Sequence, residues 1–224
     1  MTVADAGMDR RPVPARRWPV LRRIAGELAR RGVSPNVISV AGMLCGAGAG
    51  GLFVVAAHAA PFVHVAWVAA AALIAVRATA NVLDGLVAVE FGGADPAGIL
   101  YNEVPDRVSD AAMLIGLGYA QGSSPELGYL AAYLAVLTAY VRATGKIAGA
   151  PQEYGGPMGK QQRMAVAVLV ALCYAFSPVG WMPAAAVFRP AFAGLLLIVA
   201  GSAWTVIWRL RRIAFRLAAT RTVG

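Results

Sequence analysis

Six long apolar stretches follow one another along the chain, separated by short segments that contain glycine and proline. They cover residues 36 to 58, 62 to 88, 98 to 120, 126 to 148, 163 to 182 and 191 to 209. An α-helix needs roughly 20 such residues to cross the hydrocarbon core of a bilayer. The pattern therefore predicts an all-α integral membrane protein, with a bundle of six transmembrane helices over residues 33–210.

Composition supports this interpretation and excludes an ordinary soluble domain. Of the 224 residues, 59% are hydrophobic and only 14% are charged. The two cysteines, Cys45 and Cys173, lie within predicted spans and lack the spacing of metal ligands, so neither a disulfide nor a redox role is expected.

The distribution of arginine and lysine predicts how the bundle is oriented in the membrane. Basic residues precede the first span, follow the last one and flank the connection between the fourth and fifth; these are Arg10, Arg11, Arg16, Arg17, Arg22, Arg23, Arg30, Arg31, Lys146, Lys160, Arg163, Arg209, Arg211, Arg212, Arg216 and Arg221. By the positive-inside rule, both termini are cytoplasmic in a multi-pass protein of a bacterial inner membrane. The net charge of +9 then reflects topology, and nucleic acid is not an expected partner.

The segment before the first span has the pattern of an amphipathic helix. Trp18, Leu21, Ile24, Ala25 and Leu28 share one helical face, and arginines occupy much of the other. Residues 1–32 are therefore interpreted as a cytoplasmic tail with an interfacial helix that binds anionic membrane lipid, although these arginines could serve topology alone. Residues 211–224 form a basic cytoplasmic tail.

A ridge of small residues runs along the first span. Gly42, Gly46 and Gly50 recur at every fourth position, which allows another helix to approach closely. The ridge fits packing within the bundle or, as a second possibility, contact with another copy in a homodimer.

Polar residues with metal-binding chemistry lie inside the second and third apolar stretches. Asn81 and Asp84 share a helical face in the second, and Glu103, Asp106 and Asp110 share one in the third. Ionisable groups at such positions are costly and usually functional. Converging carboxylates repel each other unless a cation neutralises them, and their oxygen ligands suit Mg²⁺ or Mn²⁺. Two acidic faces are thus expected to meet near the cytoplasmic ends of these helices.

The spacing of these residues resembles the signature of the CDP-alcohol phosphotransferases. That signature reads Asp-x-x-Asp-Gly-x-x-Ala-Arg, then a gap, then Gly-x-x-x-Asp-x-x-x-Asp, and the chain matches it at Asp84, Gly85, Ala88, Asp106 and Asp110. Asn81, Val89 and Asn102 stand where the family has Asp, Arg and Gly. Further resemblance lies in Ser34-Pro35-Asn36, in Tyr140-Val141-Arg142-Ala143 and in Gly159-Lys160-Gln161-Gln162-Arg163.

The resemblance implies an enzyme that transfers a substituted phosphate from a CDP-alcohol, with CDP-diacylglycerol the expected donor, to a polyol or polyol phosphate, with release of CMP. Asp84, Asp106 and Asp110 are then the expected metal ligands, and Asp110 the expected general base. Asn81 is a neutral oxygen ligand, and Glu103 restores the negative charge that Asn81 lacks. The expected nucleotide-binding residues are Asn36, Asn81, Asp84, Gly85, Ala88 and Asn102.

Three cations at the cytoplasmic side predict where a phosphorylated acceptor binds. Arg142, Lys160 and Arg163 could form a pocket beside the metal site, or they could follow the positive-inside rule alone. Arg107 is expected to face away from Asp106 and Asp110.

Three other interpretations of the acidic residues stay open at this point. The acids could form buried ion pairs, for instance Asp84 with Arg77 or Asp110 with a neighbouring helix. They could line the pathway of an ion-coupled transporter. The substitutions at Asn81 and Val89 also fit a protein that binds a CDP-linked lipid without turning it over.

Overall fold

The computed structural model describes residues 18–58, 62–90, 97–178, 181 and 183–221, and this part of the chain is all-helical. It contains seven α-helices: α1 (Pro19–Arg30), α2 (Pro35–His58), α3 (Val63–Glu90), α4 (Gly98–Gly118), α5 (Pro125–Ile147), α6 (Lys160–Phe176) and α7 (Pro190–Arg221). A single 3₁₀ turn at Ala186–Phe188 precedes α7. The arginines before Trp18 and residues 91–96 lie outside the described residues.

Four of the described helices are long and apolar enough to cross a membrane, namely α2, α3, α5 and α7. The prediction of an all-α membrane protein is confirmed. Helices α4 and α6, of 21 and 17 residues, coincide with the third and fifth predicted spans and carry more polar residues. That all six cross the membrane stays a prediction.

Two helix ends differ from the predicted boundaries for simple reasons. Helix α6 ends at Phe176 rather than near 182, because Pro178 pushes the backbone of Ser177 into the extended region. Helix α7 continues through the basic segment to Arg221. That segment consists largely of Arg, Leu and Ala, which favour helix, so the predicted tail from residue 211 is helical as far as it is described.

Six helices surround a common core. Going round the bundle, α2 packs on α3, α3 on α6, α6 on α7, α7 on α5, α5 on α4, and α4 returns to α2. Inside this circle of helices the aromatic side chains of Trp67 and Tyr174 stack with their ring centres 4.5 Å apart, and Phe53 packs against Trp67. Such aromatic packing holds α2, α3 and α6 together at the end of the bundle away from the predicted cytoplasmic side.

The glycine ridge is used within the bundle. A β-carbon at Gly50 would collide with the backbone of Ala112, and one at Gly116 would collide with the backbone of Gly50. Helices α2 and α4 therefore touch backbone to backbone, as small residues permit. A homodimer would need another face of the molecule.

Helix α1 packs against the C-terminal end of α3. Its apolar residues Leu21, Ala25 and Leu28 pack against Leu86 and neighbouring residues of α3, while Trp18 stays exposed. On the opposite face Arg30 and Arg31 bind Glu27 and lower the pKa of that carboxyl through their hydrogen bonds and charge. The location of α1 at the membrane surface stays a prediction.

Candidate functional site

Polar side chains from four helices meet between α2, α3, α4 and α6, in an otherwise apolar bundle. Helix α2 contributes Ser39; α3 contributes Arg77, Asn81 and Asp84; α4 contributes Asp106, Ser109 and Asp110; and α6 contributes Lys160 and Arg163. On α3 and on α4 the members are three or four residues apart, which places them on one helical face. The predicted meeting of the polar faces of α3 and α4 is present.

Asp84 is almost fully enclosed, with 4% of its surface exposed. The hydroxyl of Ser39 donates a hydrogen bond to its Oδ2 at 2.7 Å. Asp84 lies one turn from Asn81 on α3, and Arg77 links Asn81 to Asp106 on α4. Asp84 therefore belongs to the same polar cluster as Asp106.

Asp106 lies at the centre of the cluster and binds most of the cationic side chains in it. Arg77 binds its Oδ1, and Lys160 Nζ binds its Oδ2 at 2.5 Å. Arg107 Nη2 lies 3.5 Å from the same Oδ2, so Arg107 turns toward Asp106 instead of away from it. Asp106 thus links α3, α4 and α6.

Arg77 connects three of the polar side chains. Beside its ion pair with Asp106, it donates to Ser109 Oγ at 3.0 Å and to Asn81 Oδ1 at 2.5 Å. The alternative pairing of Arg77 with Asp84 is wrong, because the guanidinium extends across to α4. Only 2% of Arg77 is exposed.

Asp110 and Arg163 form a separate buried pair, one helical turn deeper than Asp106. Arg163 Nη2 lies 2.6 Å from Asp110 Oδ2, and Arg163 Nη1 donates to the carbonyl of Met158 at 3.2 Å. The side chain of Arg163 is 1% exposed and that of Asp110 is 3% exposed. The alternative that Asp110 pairs with a neighbouring helix is confirmed.

Glu103 and Arg142 form a third, more open pair at the edge of the site. Arg142 donates to Glu103 Oε1 at 2.6 Å and to Gln152 Oε1 at 3.2 Å, and its guanidinium lies 5.3 Å from the ring centre of Tyr154. Arg142, Lys160 and Arg163 thus each bind a different carboxylate instead of lining one shared cationic pocket.

The remaining predicted nucleotide-binding residues lie toward the predicted cytoplasmic end of the same helices. Gly85 is buried, Ala88 and Asn36 are half-buried, and Asn102 is exposed. The side-chain oxygen of Asn36 lies within van der Waals distance of where a β-carbon of Gly98 would be. Small residues, Gly85 and Ala88 on α3 and Gly98 on α4, lie at this end of the helices.

The second half of the motif also fits the chain one turn earlier than predicted. Gly98, at the first position of α4, is followed by Asn102 and Asp106 at the required spacing. In this register the glycine is kept, Asn102 replaces an acid, and Asp106 takes the last acidic position. Asp110 then lies outside the motif, which agrees with its pairing to Arg163.

The donor set has the chemistry of a divalent-cation site, but one of its carboxylates, Asp106, is bound by cationic side chains. Carboxylate oxygens of Asp84 and Asp106 and the amide oxygen of Asn81 are hard ligands that suit Mg²⁺ or Mn²⁺. Within the described part of the chain, no group of three or more His, Cys, Asp or Glu side chains is arranged to hold a metal ion. A metal ion bound here would share Asp106 with Arg77 and Lys160.

Ser39 and Ser109 were not predicted from the sequence, and Arg77 was predicted only as a possible ion-pair partner of Asp84. Ser39 carries no signal of its own in an apolar helix. Arg77 did carry one, because it lies one turn before Asn81 inside a predicted span, where an arginine is rare and faces the bundle interior.

The fold resembles that of a phosphatidylinositol phosphate synthase. Two crystal structures of phosphatidylinositol phosphate synthase (PgsA1) from Mycobacterium tuberculosis superimpose on this chain. The one in complex with manganese and citrate has a TM-score of 0.69 and 24% identity, over 86% of this chain and 88% of that one. The one with CDP-DAG bound has a TM-score of 0.70 and 23% identity, over 88% and 94%.

A curated protein that resembles the chain in sequence is the inner membrane protein YnbA of Escherichia coli (strain K12). It is 28% identical over 138 residues, which are 62% of this chain and 65% of YnbA. The match thus spans just under two thirds of that relative. No protein-family model matches the chain. PgsA1 is a CDP-alcohol phosphotransferase, so the resemblance predicted from the motif is confirmed at the level of the fold.

Proposed function

We propose that this protein is a CDP-alcohol phosphotransferase that uses CDP-diacylglycerol and transfers its phosphatidyl group to the hydroxyl of a polyol or polyol phosphate. The observation that carries the proposal is the polar cluster that holds two buried carboxylates, Asp84 on α3 and Asp106 on α4, in a fold that resembles that of a phosphatidylinositol phosphate synthase. Acids held at this depth need a functional reason.

The reaction joins the acceptor oxygen to the phosphorus that carries the lipid. The bond from that phosphorus to the bridging oxygen breaks, CMP leaves with that oxygen, and the hydroxyl proton passes to a base. A Mg²⁺ or Mn²⁺ ion held by Asp84, Asp106 and the Asn81 oxygen would supply positive charge next to the diphosphate. Lys160 adds a second positive charge at the same place.

We assign the base to Asp106 instead of Asp110. In the register that begins at Gly98, Asp106 takes the last acidic position of the motif, and it lies beside Asp84. Asp110 is held by Arg163 one turn deeper, where its carboxylate orients α6. Glu103 is bound to Arg142, which argues against a metal-ligand role and for a place at the acceptor.

Arg142 is the proposed anchor for a phosphorylated acceptor. Its guanidinium is half-buried between Glu103, Gln152 and Tyr154, at the open edge of the site. A planar guanidinium binds phosphate through paired hydrogen bonds. The nucleotide would bind among Asn36, Gly85, Ala88 and Asn102, where Gly85 and Ala88 present little side-chain bulk to it.

The membrane arrangement is part of the proposal. Six helices, α2 to α7, cross a bacterial inner membrane with both termini in the cytoplasm, which places the entrance to the site at the ends of α3, α4 and α6 on the cytoplasmic side. Water-soluble CMP and the polar acceptor then exchange with the cytosol, while the acyl chains of the donor stay in the bilayer.

A second candidate function is binding of a CDP-linked lipid without turnover. It is favoured by one observation: the carboxylate that would serve the chemistry is occupied by Arg77 and Lys160. Release of CMP separates the two functions.

The test uses the purified full chain in lipid nanodiscs, with CDP-diacylglycerol, Mn²⁺ and a panel of polyols and polyol phosphates. We expect CMP release that depends on both the metal and an acceptor. The Asp84→Asn variant should lose it, whereas Glu126→Gln, the same change at an exposed site on α5, should not. CDP-diacylglycerol binding with no CMP released for any acceptor would favour the second candidate.

A further inference from the structure

Arg77 lies inside the candidate metal site, on the same carboxylate that the proposed function gives to the metal. It binds Asp106 directly and is also held by Ser109 and Asn81. A guanidinium and a divalent cation that bind the same carboxylate repel each other at short range in a low-dielectric interior. Each should therefore weaken the binding of the other to Asp106.

The cations around Asp106 already outnumber the carboxylates. Among the described residues, the site contains four carboxylates, Asp84, Asp106, Asp110 and Glu103, and five cations, Arg77, Lys160, Arg163, Arg107 and Arg142. A divalent ion added to this arrangement would increase the excess of positive charge in a low-dielectric interior, which is strongly unfavourable. The excess is reduced when Arg77 leaves Asp106 or when an anion enters with the metal.

Helix α2 is shaped to accommodate Arg77 in this position. A β-carbon at Gly42 would lie 3.1 Å from Nη1 of Arg77, and one at Gly46 would overlap the hydroxyl of Ser109 that Arg77 binds. Glycines therefore leave room for the guanidinium and for its partner.

Beside the guanidinium, the side-chain nitrogen of Asn81 is buried and has no hydrogen-bond partner in the described part of the chain. This leaves a donor available for an oxygen of an incoming ligand.

We infer that Arg77 is an internal counter-ion that competes with the divalent metal for Asp106 and thereby sets the metal affinity of the site. The inference rests on the proposed function only because that function makes Asp106 a metal ligand. The diphosphate of a cytidine nucleotide offers Arg77 another partner when it leaves Asp106. Metal and nucleotide should consequently strengthen each other's binding.

The experiment measures Mn²⁺ binding to the purified full chain by calorimetry, with and without CDP, so that no turnover is needed. In Arg77→Gln, which removes the charge, Mn²⁺ alone should bind about tenfold more tightly than in the wild type. CDP should tighten Mn²⁺ binding in the wild type and do so much less in this variant. A thermal unfolding curve shows that each variant is folded.

Three further variants separate competition from a general structural effect. Arg77→Lys keeps the charge and should stay within about threefold of the wild type. Arg189→Gln removes an arginine that binds backbone carbonyls before α7, and it should change nothing. Ser109→Ala keeps Arg77 but removes one of its hydrogen bonds, so it should tighten Mn²⁺ binding by about threefold, and it remains informative if Arg77→Gln does not fold.

The inference is overturned if folded Arg77→Gln binds Mn²⁺ no more tightly than the wild type, if Arg189→Gln shows the same gain, or if no variant binds Mn²⁺. If Arg77→Gln does not fold, an unchanged affinity in Ser109→Ala overturns it as well. If the affinities follow the expected order but the protein releases no CMP, the proposed function is refuted and the competition stands. If the protein releases CMP but the affinities do not change, the competition is refuted and the proposed function stands.

Discussion

Two aspartates of α4, only one turn apart, have different partners and therefore different expected roles. Asp106 meets Arg77 and Lys160 beside Asp84, whereas Asp110 meets Arg163 below them. Removal of one partner from a buried pair leaves an uncompensated charge and costs about 3–5 kcal/mol. The two residues can thus be separated by measuring activity and stability together.

We expect Asp106→Asn to lower the rate of CMP release by at least about a hundredfold, because the proposed base is lost. Asp110→Asn should instead lower the thermal unfolding temperature, since Arg163 is left without its carboxylate, and keep its rate per folded molecule within about threefold of the wild type. Both quantities are measured on the same preparations. An inactive but fully stable Asp110→Asn would return the base to Asp110.

Arg142 tests the acceptor side of the site. Arg142→Gln should raise the KM for a polyol phosphate by about tenfold or more, because a charge-assisted hydrogen bond contributes about 1.5–3 kcal/mol. The KM for CDP-diacylglycerol should stay unchanged. An equal change in both KM values would show that Arg142 supports the site as a whole and does not bind the acceptor.

Residue spacing was sufficient to predict which side chains share a face, but not which ones pair. Asn81 and Asp84 follow from the helical repeat of α3, as Asp106 and Asp110 do from that of α4. The partners Lys160 and Arg163 come from α6, whose position beside α3 depends on the packing of the whole bundle. For the same reason, the sequence suggested that Arg77 pairs with Asp84 on the same helix, whereas Arg77 pairs with Asp106 on α4.

At the scale of helices, the contact between α2 and α4 decides where the polar face of α4 lies. The close approach at Gly50 and Gly116 fixes the position of α4 along the axis of α2, and Ser109 fits beside Gly46. The glycine spacing in α2 predicted close packing. The identity of the partner helix could not be predicted, because any small-residue face would satisfy the same pattern.

A matched pair of glycine variants tests this contact. Gly50→Ala places a methyl group against the backbone of Ala112, so we expect a loss of about 1–3 kcal/mol in stability. Gly51→Ala places the same group in open space and should leave stability unchanged or slightly higher. Thermal unfolding in detergent measures both, and equal losses would refute the backbone contact.

At the scale of the whole molecule, apolar runs and arginine distribution predicted the class of protein and the approximate position of every helix. The ring order of the helices could not be predicted, because α5 and α6 are consecutive in sequence but lie on different sides of α7 in the bundle. Such an order depends on shape complementarity among all helices. The closed ring is what brings α6 to the polar faces of α3 and α4.

Cysteine labelling tests the predicted topology. In a variant that lacks Cys45 and Cys173, a cysteine at exposed Gln121 should react with a membrane-impermeant maleimide added to intact cells. A cysteine at exposed Lys146 should react only after the membrane is opened. The opposite pattern would place the candidate site on the outer side, away from cytosolic CMP.

The most direct test of the central claim is a structure of the purified protein with CDP and Mn²⁺ bound. We predict that the diphosphate lies between Asp84 and Asp106 with the metal beside it, and that Arg77 has left Asp106. A nucleotide bound elsewhere, with Arg77 and Lys160 still on Asp106, would contradict the account.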